Sequence, residues 1–431
     1  MQRVHNTRSG AFRGFCLAVV ALALGGMLSG AALARNDSSW VGTWATAVSV
    51  PSIFDVPLAD PPYSDQTLRQ IVRISVGGKG VRIWLSNVHG TAPLRIGAAA
   101  VALRDDGAAV IGRSNRALSF AGEPGVTIAA GARVLSDPVR LWVPDLADLA
   151  VSIYVPDGGA ALGSPVSYHV RGLQTSYVLS GNQTDAVDPV WHETIDTTFW
   201  FTGVDVLTRR NTPVIAALGD SITDGDESTP DTNRRWPNLL AEGLLGGKGR
   251  YGYGGARRVG ILNVGISGNQ VTSTVFGDNA QARFDRDVLL KTGVTHVIVL
   301  EGINDIGIPG FLGPPKISPE QIIAGYQQLI ARGHARGLKM IGGTLTPSGG
   351  FFLPDYNTPE GEMKRQAVNK WIRHSGAFDL VIDFDALLRD PDDPTLMRAD
   401  LTADGLHPND DGYQAMADLV RRRLFSRGRR D

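Results

Sequence analysis

The chain of 431 residues contains a single cysteine, Cys16. That residue falls in an N-terminal stretch, 1–34, with the marks of a signal peptide. Arg3, Arg8 and Arg13 give it a basic head, Phe15 to Leu28 an apolar run, and Ala32-Leu33-Ala34 a small-x-small cleavage site. Processing at Ala34 would leave no thiol, which excludes a disulfide, a cysteine nucleophile and a thiolate metal site. No second apolar run of that length follows, while a membrane-spanning helix needs about 20 such residues. The expectation is a secreted or periplasmic protein with no stable membrane insertion once the signal is removed.

The sequence also lacks an excess of charge. The leader takes three of the 42 basic residues and none of the 43 acidic ones, leaving 39 against 43, a net charge of −4. A nucleic-acid partner, which usually needs a basic face, is not expected. Arg421, Arg422, Arg423, Arg427, Arg429 and Arg430 crowd the end; they read as a solvated tail on a last helix, whose C-terminus favours cations. No G-x-S-x-G, H-E-x-x-H or G-K-[ST] run occurs, so three common enzyme classes lose their anchors. Gly252-Tyr253-Gly254-Gly255 fails as a dinucleotide loop, because Arg257 holds the sixth position and a strand follows instead of preceding it.

What is present falls into two rhythms. Residues 36–207 show short alternating runs punctuated by Gly, Pro, Asp and Ser, and predict an all-β, sandwich-like domain. Val72, Ile74 and Val76 precede Gly77-Gly78-Lys79-Gly80, and Val81, Ile83 and Leu85 follow, which predicts a hairpin. Further strands are expected around Val139–Val143, Val151–Val155 and Tyr168–Val170. From 212 to 431 continuous apolar runs alternate with helical segments, which predicts a doubly wound α/β domain. The runs are Val214–Leu218, Gly260–Val264, His296–Leu300, Met340–Leu345 and Leu380–Phe384. Ser318-Pro319-Glu320-Gln321 predicts a capped helix start, and further helices are expected over Pro359–His374 and Asp411–Leu424. Arg209–Asn211 is the expected boundary.

Four short segments carry chemistry. Gly219-Asp220-Ser221 follows the first α/β run, where such folds place their sites. A serine hydroxyl is a weak nucleophile that needs a base and an orienter. Asp404-Gly405-Leu406-His407-Pro408 offers both, three residues apart. Gly265-Ile266-Ser267-Gly268-Asn269 and Gly302-Ile303-Asn304-Asp305 follow the next two runs; glycine allows close backbone approach and an asparagine amide is a neutral donor.

Together these segments resemble the four blocks of the SGNH (GDSL-type) hydrolase superfamily. The resemblance implies a flavodoxin-like three-layer fold and hydrolysis of a carboxylic ester with no metal and no cofactor. It matches Ser221 to the nucleophile, His407 to the base and Asp404 to its partner, and assigns the oxyanion hole to Ser221, Gly268 and Asn304. Trp44, Arg69-Gln70, Ser86-Asn87 and Ser136-Asp137-Pro138 resemble the β-rich leading domain of a branch that includes arylesterases and acylhydrolases, some tied to plant-polysaccharide breakdown. The expected partner is a small-molecule or glycan ester, with short-chain acyl groups on acetylated carbohydrate preferred. An acyltransferase with the same triad, a lipase or lysophospholipase, and a non-catalytic polysaccharide-binding protein remain as alternatives. The β half reads equally as a brace or a glycan binder.

Other features read as structural. His89, His169, His192, His296, His334 and His374 show no ligand spacing. Asp224, Asp226 and Glu227, and likewise Asp390, Asp392 and Asp393, read as solvated loops. Trp236 reads as packing. Ile306–Lys316 and Ser348–Asn357, with Phe311, Phe351, Phe352 and Tyr356, are expected as short lids over a shallow site.

Overall fold

A computed structural model describes residues 38–50, 63–246, 258–312 and 316–425. The leader with Cys16, the 252–255 loop, the Phe311 side chain and Arg427, Arg429 and Arg430 lie outside the described residues. No helix among the described residues is long and apolar enough to cross a membrane.

The N-terminal region is antiparallel β. A six-stranded sheet has its members in the order Glu193–Ile195, Ser176–Ser180, Gln66–Arg73, Asp148–Val155, Ala98–Leu103 and Arg116–Ala117. A four-stranded sheet orders Ser38–Ala45, Phe201–Arg209, Val81–Ser86 and Arg133–Leu135. Alternation sorts the side chains. Leu149, Val151, Ile153 and Val155 join one core with Val81, Ile83, Leu85, Val204 and Val206 of the other sheet. Ala150 instead turns to a satellite cluster with Ile71 and Tyr177.

The expected hairpin at Gly77–Gly80 is not formed. Gln66–Arg73 and Val81–Ser86 belong to different sheets, so the glycine segment is a crossover. Its glycines serve close backbone approach: a Cβ at Gly77 would stand 2.2 Å from the Val143 carbonyl oxygen, and one at Gly78 2.6 Å from that of Leu207. Val139 and Val143 do pair, but only as single bridges to Val81 and Gly78. The Arg69-Gln70 pair is structural. Arg69, fully buried, donates to Ser152 Oγ and to the Ala108 and Ala186 carbonyls, and the Gln70 amide brackets the Phe199 backbone.

After Arg209 the strands become parallel. Five of them lie in the order Gly260–Gly265, Val214–Gly219, Val294–Leu300, Lys339–Gly343 and Leu380–Ile382. In chain order this is 2-1-3-4-5, the arrangement of flavodoxin-like sheets. Val214, Ala216 and Leu218 pack on one face with Ile322, Leu329 and Val368. Ile215 and Ala217 pack on the other with Trp236, Leu240, Tyr413 and Met416. Helices Pro319–Ala335 and Pro359–His374 thus cover one face, and Trp236–Leu245 and Asp410–Phe425 the other. Ser318 caps its helix with the full capping box. The last expected run ends two residues early, because Asp383 caps a short helix starting at Phe384. Register levels the strand ends: Gly219 stands beside both Gly265 and Leu300.

Candidate active site

Ser221 is the first residue of a single helical turn, Ser221–Asp224, directly after the Val214–Gly219 strand. The Asp220 carboxylate caps that turn by accepting from the Ile222 amide at 3.0 Å. Gly225, at φ +109°, ends it. Gly219 must be glycine, since a Cβ would lie 2.3 Å from the Leu300 carbonyl oxygen.

His407 reaches this turn from just before the last helix. Its Nε2 stands 2.9 Å from Ser221 Oγ and its Nδ1 2.7 Å from Asp404 Oδ2. The other Asp404 oxygen accepts from the Leu406 and His407 amides. Because an ionised carboxylate can only accept, Nδ1 carries the proton and Nε2 is left to accept from the serine. Burial works against an imidazolium here, yet the Asp404 hydrogen bond and the Asp226 and Asp220 charges outweigh it, holding His407 above its ordinary value. Burial likewise opposes the Asp404 charge, but its donors, His407 foremost, hold the carboxyl at about 2.

Gly268 follows the Gly260–Gly265 strand at φ +75°, and a Cβ there would meet the Phe276 ring at 2.7 Å. Asn304 opens the Ile303–Leu312 helix, so the expected loop at Ile306 is helical as far as Leu312. Its Nδ2 donates to the Asn269 carbonyl at 2.9 Å, and its Oδ1 accepts from the Tyr356 hydroxyl at 2.6 Å. Ser221, Gly268, Asn304 and His407 line one cavity of about 460 Å³. Its apolar side is built from Ile266, Phe276, Ile308, Phe351, Phe352 and Leu406; Phe351 also meets the His407 ring edge to face at 5.9 Å. The β-rich region adds Ser49, Val50 and His169–Arg171 to the lining.

A buried layer beneath the cavity ties the strand ends together. The Arg283 guanidinium donates to Asn269 Oδ1 and to the Val264 and Gly219 carbonyls, and stands 3.4 Å from Glu301. Asp305 accepts from the Val271 and Thr272 amides, and burial pushes its carboxyl up to about 6. Asp305 belongs to the fourth block and Glu301 adjoins it, whereas Arg283 lies far from every block and carries no sequence signal of its own.

One expectation changes. Asp224 and Asp226 are buried, not solvated, and only Glu227 is exposed. Asp226 accepts from the Ser267 hydroxyl and pairs with Arg171 at 3.3 Å. His169 meets the same buried acidic segment: its Nε2 lies 3.0 Å from Asp224 Oδ1. Asp390 behaves as expected, accepting from the Asp392 and Asp393 amides in a surface turn. Trp236 is fully buried against Phe384. Among the described residues no three His, Cys, Asp or Glu side chains gather as metal ligands.

Comparison with known proteins places part of the chain. Residues 217–415 match the model of the GDSL-like lipase/acylhydrolase family. No curated protein sequence matches. Among solved structures, a GDSL-like lipase from Bacteroides thetaiotaomicron is 17% identical, with a TM-score of 0.37, over 48% of this chain and 86% of that one. An acetyl xylan esterase is 20% identical (TM-score 0.38; 49% of this chain, 100% of that one). A variant of an acetyl-xylooligosaccharide esterase from Geobacillus is also 20% identical (TM-score 0.37; 50% and 95%). Residues 217–415 are therefore a domain of the GDSL-like lipase/acylhydrolase family, set behind an antiparallel β-rich region, and the protein is a serine ester hydrolase.

Proposed function

We propose that Ser221 is the nucleophile, His407 the general base and Asp404 its orienting partner. The observation that carries this reading is the unbroken hydrogen-bond chain from Ser221 Oγ through both imidazole nitrogens to Asp404. As Oγ attacks the ester carbonyl carbon, its proton passes to Nε2. The carbonyl oxygen becomes an oxyanion, which the Ser221 and Gly268 amides and the Asn304 side chain, all lining the cavity, would receive. Collapse expels the alcohol, which takes the proton from Nε2. Water then repeats the sequence on the acyl-enzyme and frees the acid.

Ser221→Ala removes the attacking atom at almost no steric cost, and kcat is expected to fall by roughly 10⁴ to 10⁶. A fluorophosphonate should form one adduct, at Ser221. A folded variant with wild-type turnover, or an adduct elsewhere, would overturn the assignment.

The favoured substrate is a short acyl ester, with acetylated carbohydrate as the natural form. The cavity of about 460 Å³ has to seat both halves of the ester, and Phe352, 76% exposed and part of its lining, offers an aromatic ring on which a sugar could stack. A deep acyl tunnel would add about 0.8 kcal/mol for each buried methylene. Across p-nitrophenyl esters, acetyl and butyryl should therefore surpass decanoyl in kcat/KM. An optimum at ten carbons or beyond would direct the reading to a lipase or lysophospholipase. Export follows from the leader pattern; N-terminal sequencing of exported protein should start near Arg35, and a membrane-bound product retaining Met1 would refute it.

A further inference from the structure

The β-rich region reaches the Ser221 turn through a buried histidine. His169 sits in the two-residue strand Tyr168–His169, paired with Thr198–Phe199, and its side chain is 7% exposed. Its Nδ1 lies 2.9 Å from the Ala47 carbonyl oxygen and its Nε2 3.0 Å from Asp224 Oδ1. A carbonyl oxygen only accepts, so Nδ1 carries a hydrogen. Nε2 then faces a carboxylate, and the contact is attractive only if a further proton lies between them, on one partner or the other. Asp224 ends the turn that Ser221 begins, and the turn closes through the Asp224 and Gly225 amides on the Asp220 and Ser221 carbonyls.

We propose that His169 is a positioning residue for Ser221: the proton shared by its Nε2 and Asp224 ties the β-rich region to the nucleophile's turn and keeps the hydroxyl aimed at His407. The proposal rests on Ser221 being the nucleophile. The charged groups around His169 are Asp224, and beyond it Asp226 and Arg235 on the loop after the turn and Arg171 on its own strand's continuation. Burial and Arg235 disfavour the imidazolium, but the Asp224 carboxylate outweighs them and holds His169 above the ordinary imidazole value. The sign follows. A raised folded value means that the tie is intact at low pH and is lost as pH rises through that value. Above it, a nitrogen lone pair faces a carboxylate and the turn loosens. The acid limb of activity belongs to His407, which must be neutral to accept the serine proton. The alkaline limb belongs to His169.

The test is the pH profile of kcat and KM for the wild type, His169→Gln and Asp224→Asn. The Gln amide does not titrate and cannot serve both acceptors as the ring does. Misplacing a reacting group by an ångström can cost about 100-fold. His169→Gln is expected to lower kcat about 10- to 100-fold at neutral pH, with KM within about twofold, and to slow fluorophosphonate labelling equally. It should erase the alkaline limb and leave the acid limb in place. Asp224→Asn should do the same from the other side. Folded variants with wild-type kcat and an unchanged alkaline limb would overturn the proposal, while a label that misses Ser221 would overturn the nucleophile assignment instead. Should the variants not fold, ¹⁵N spectra of the wild-type imidazoles decide: the His169 ring should stay protonated at both nitrogens, or share one with Asp224, until the alkaline limb. A ring already free of the second proton below that limb refutes the idea.

Discussion

At the scale of single residues, the Asn304 amide shows how much placement the site requires. Its oxygen is taken by the Tyr356 hydroxyl and one N–H by the Asn269 carbonyl. That fixes which end of the amide is which and leaves its second N–H for the proposed oxyanion hole. Asn304→Ala should lower kcat by roughly 10² to 10³, with a smaller change in KM, as for other lost oxyanion donors. Tyr356→Phe removes only the bond that orients the amide. It should lower kcat by about tenfold with KM nearly unchanged, and a Tyr356→Phe enzyme with wild-type kcat would show that the helix alone orients Asn304. Ser221, Gly268 and Asn304 were legible because each follows an apolar run at a short distance, and Asp404 and His407 because they lie three residues apart just before the last helix. Tyr356 and Arg283 were not, since side chains that hold a catalytic group from below carry no spacing of their own. His169 was hidden for the same reason: its partner, Asp224, is brought to it only by the fold.

At the scale of strands and loops, the sequence distinguishes buried from half-buried segments well and distinguishes their connections poorly. The parallel strands were legible because both faces are covered, so most of their positions are apolar. The capped helix at Ser318 was legible because its cap is local chemistry. The Gly77–Gly80 segment was misread because inward alternation before and after it is identical for a hairpin and for a crossover between facing sheets. What decides is the Val143 and Leu207 backbone pressed against Gly77 and Gly78, which is long-range information. Gly268 sits in a loop whose conformation requires glycine. An L side chain at φ +75° costs about 1–2 kcal/mol, and its Cβ would also press into Phe276. Gly268→Ala should therefore move the loop that brings its amide to the cavity. We expect kcat to fall at least tenfold while the melting temperature shifts by only a few degrees. An active Gly268→Ala enzyme would remove Gly268 from the oxyanion hole.

At the scale of the whole molecule, the change of architecture at Arg209–Val214 does not make the catalytic half self-sufficient. Gly260–Gly265 is an edge strand of the parallel sheet, and unpaired edges seek partners. The β-rich region meets that edge. The Ile261 amide donates to Ser75 Oγ, and the Gly42 carbonyl lies so close to Gly260 that a Cβ there would stand 2.3 Å away; the Gly42 amide also donates to the Thr292 carbonyl, just before the Val294–Leu300 strand. Val41 and Ala45 share one core with Leu262 and Val264. Arg258 donates to Asp145, Thr208 and the Gly77 carbonyl. Removing the β-rich region would therefore expose apolar side chains and a bare strand edge together, and would strip His169 from Asp224. Residues 212–431 expressed alone should be prone to aggregate, and any soluble fraction should lose at least the roughly 10- to 100-fold in kcat assigned to the His169 tie. Size-exclusion chromatography with an esterase assay on each fraction checks both parts. A monomeric, fully active 212–431 fragment would mean that the β-rich region contributes neither edge protection nor positioning, and would leave it free to serve as an independent glycan-binding module.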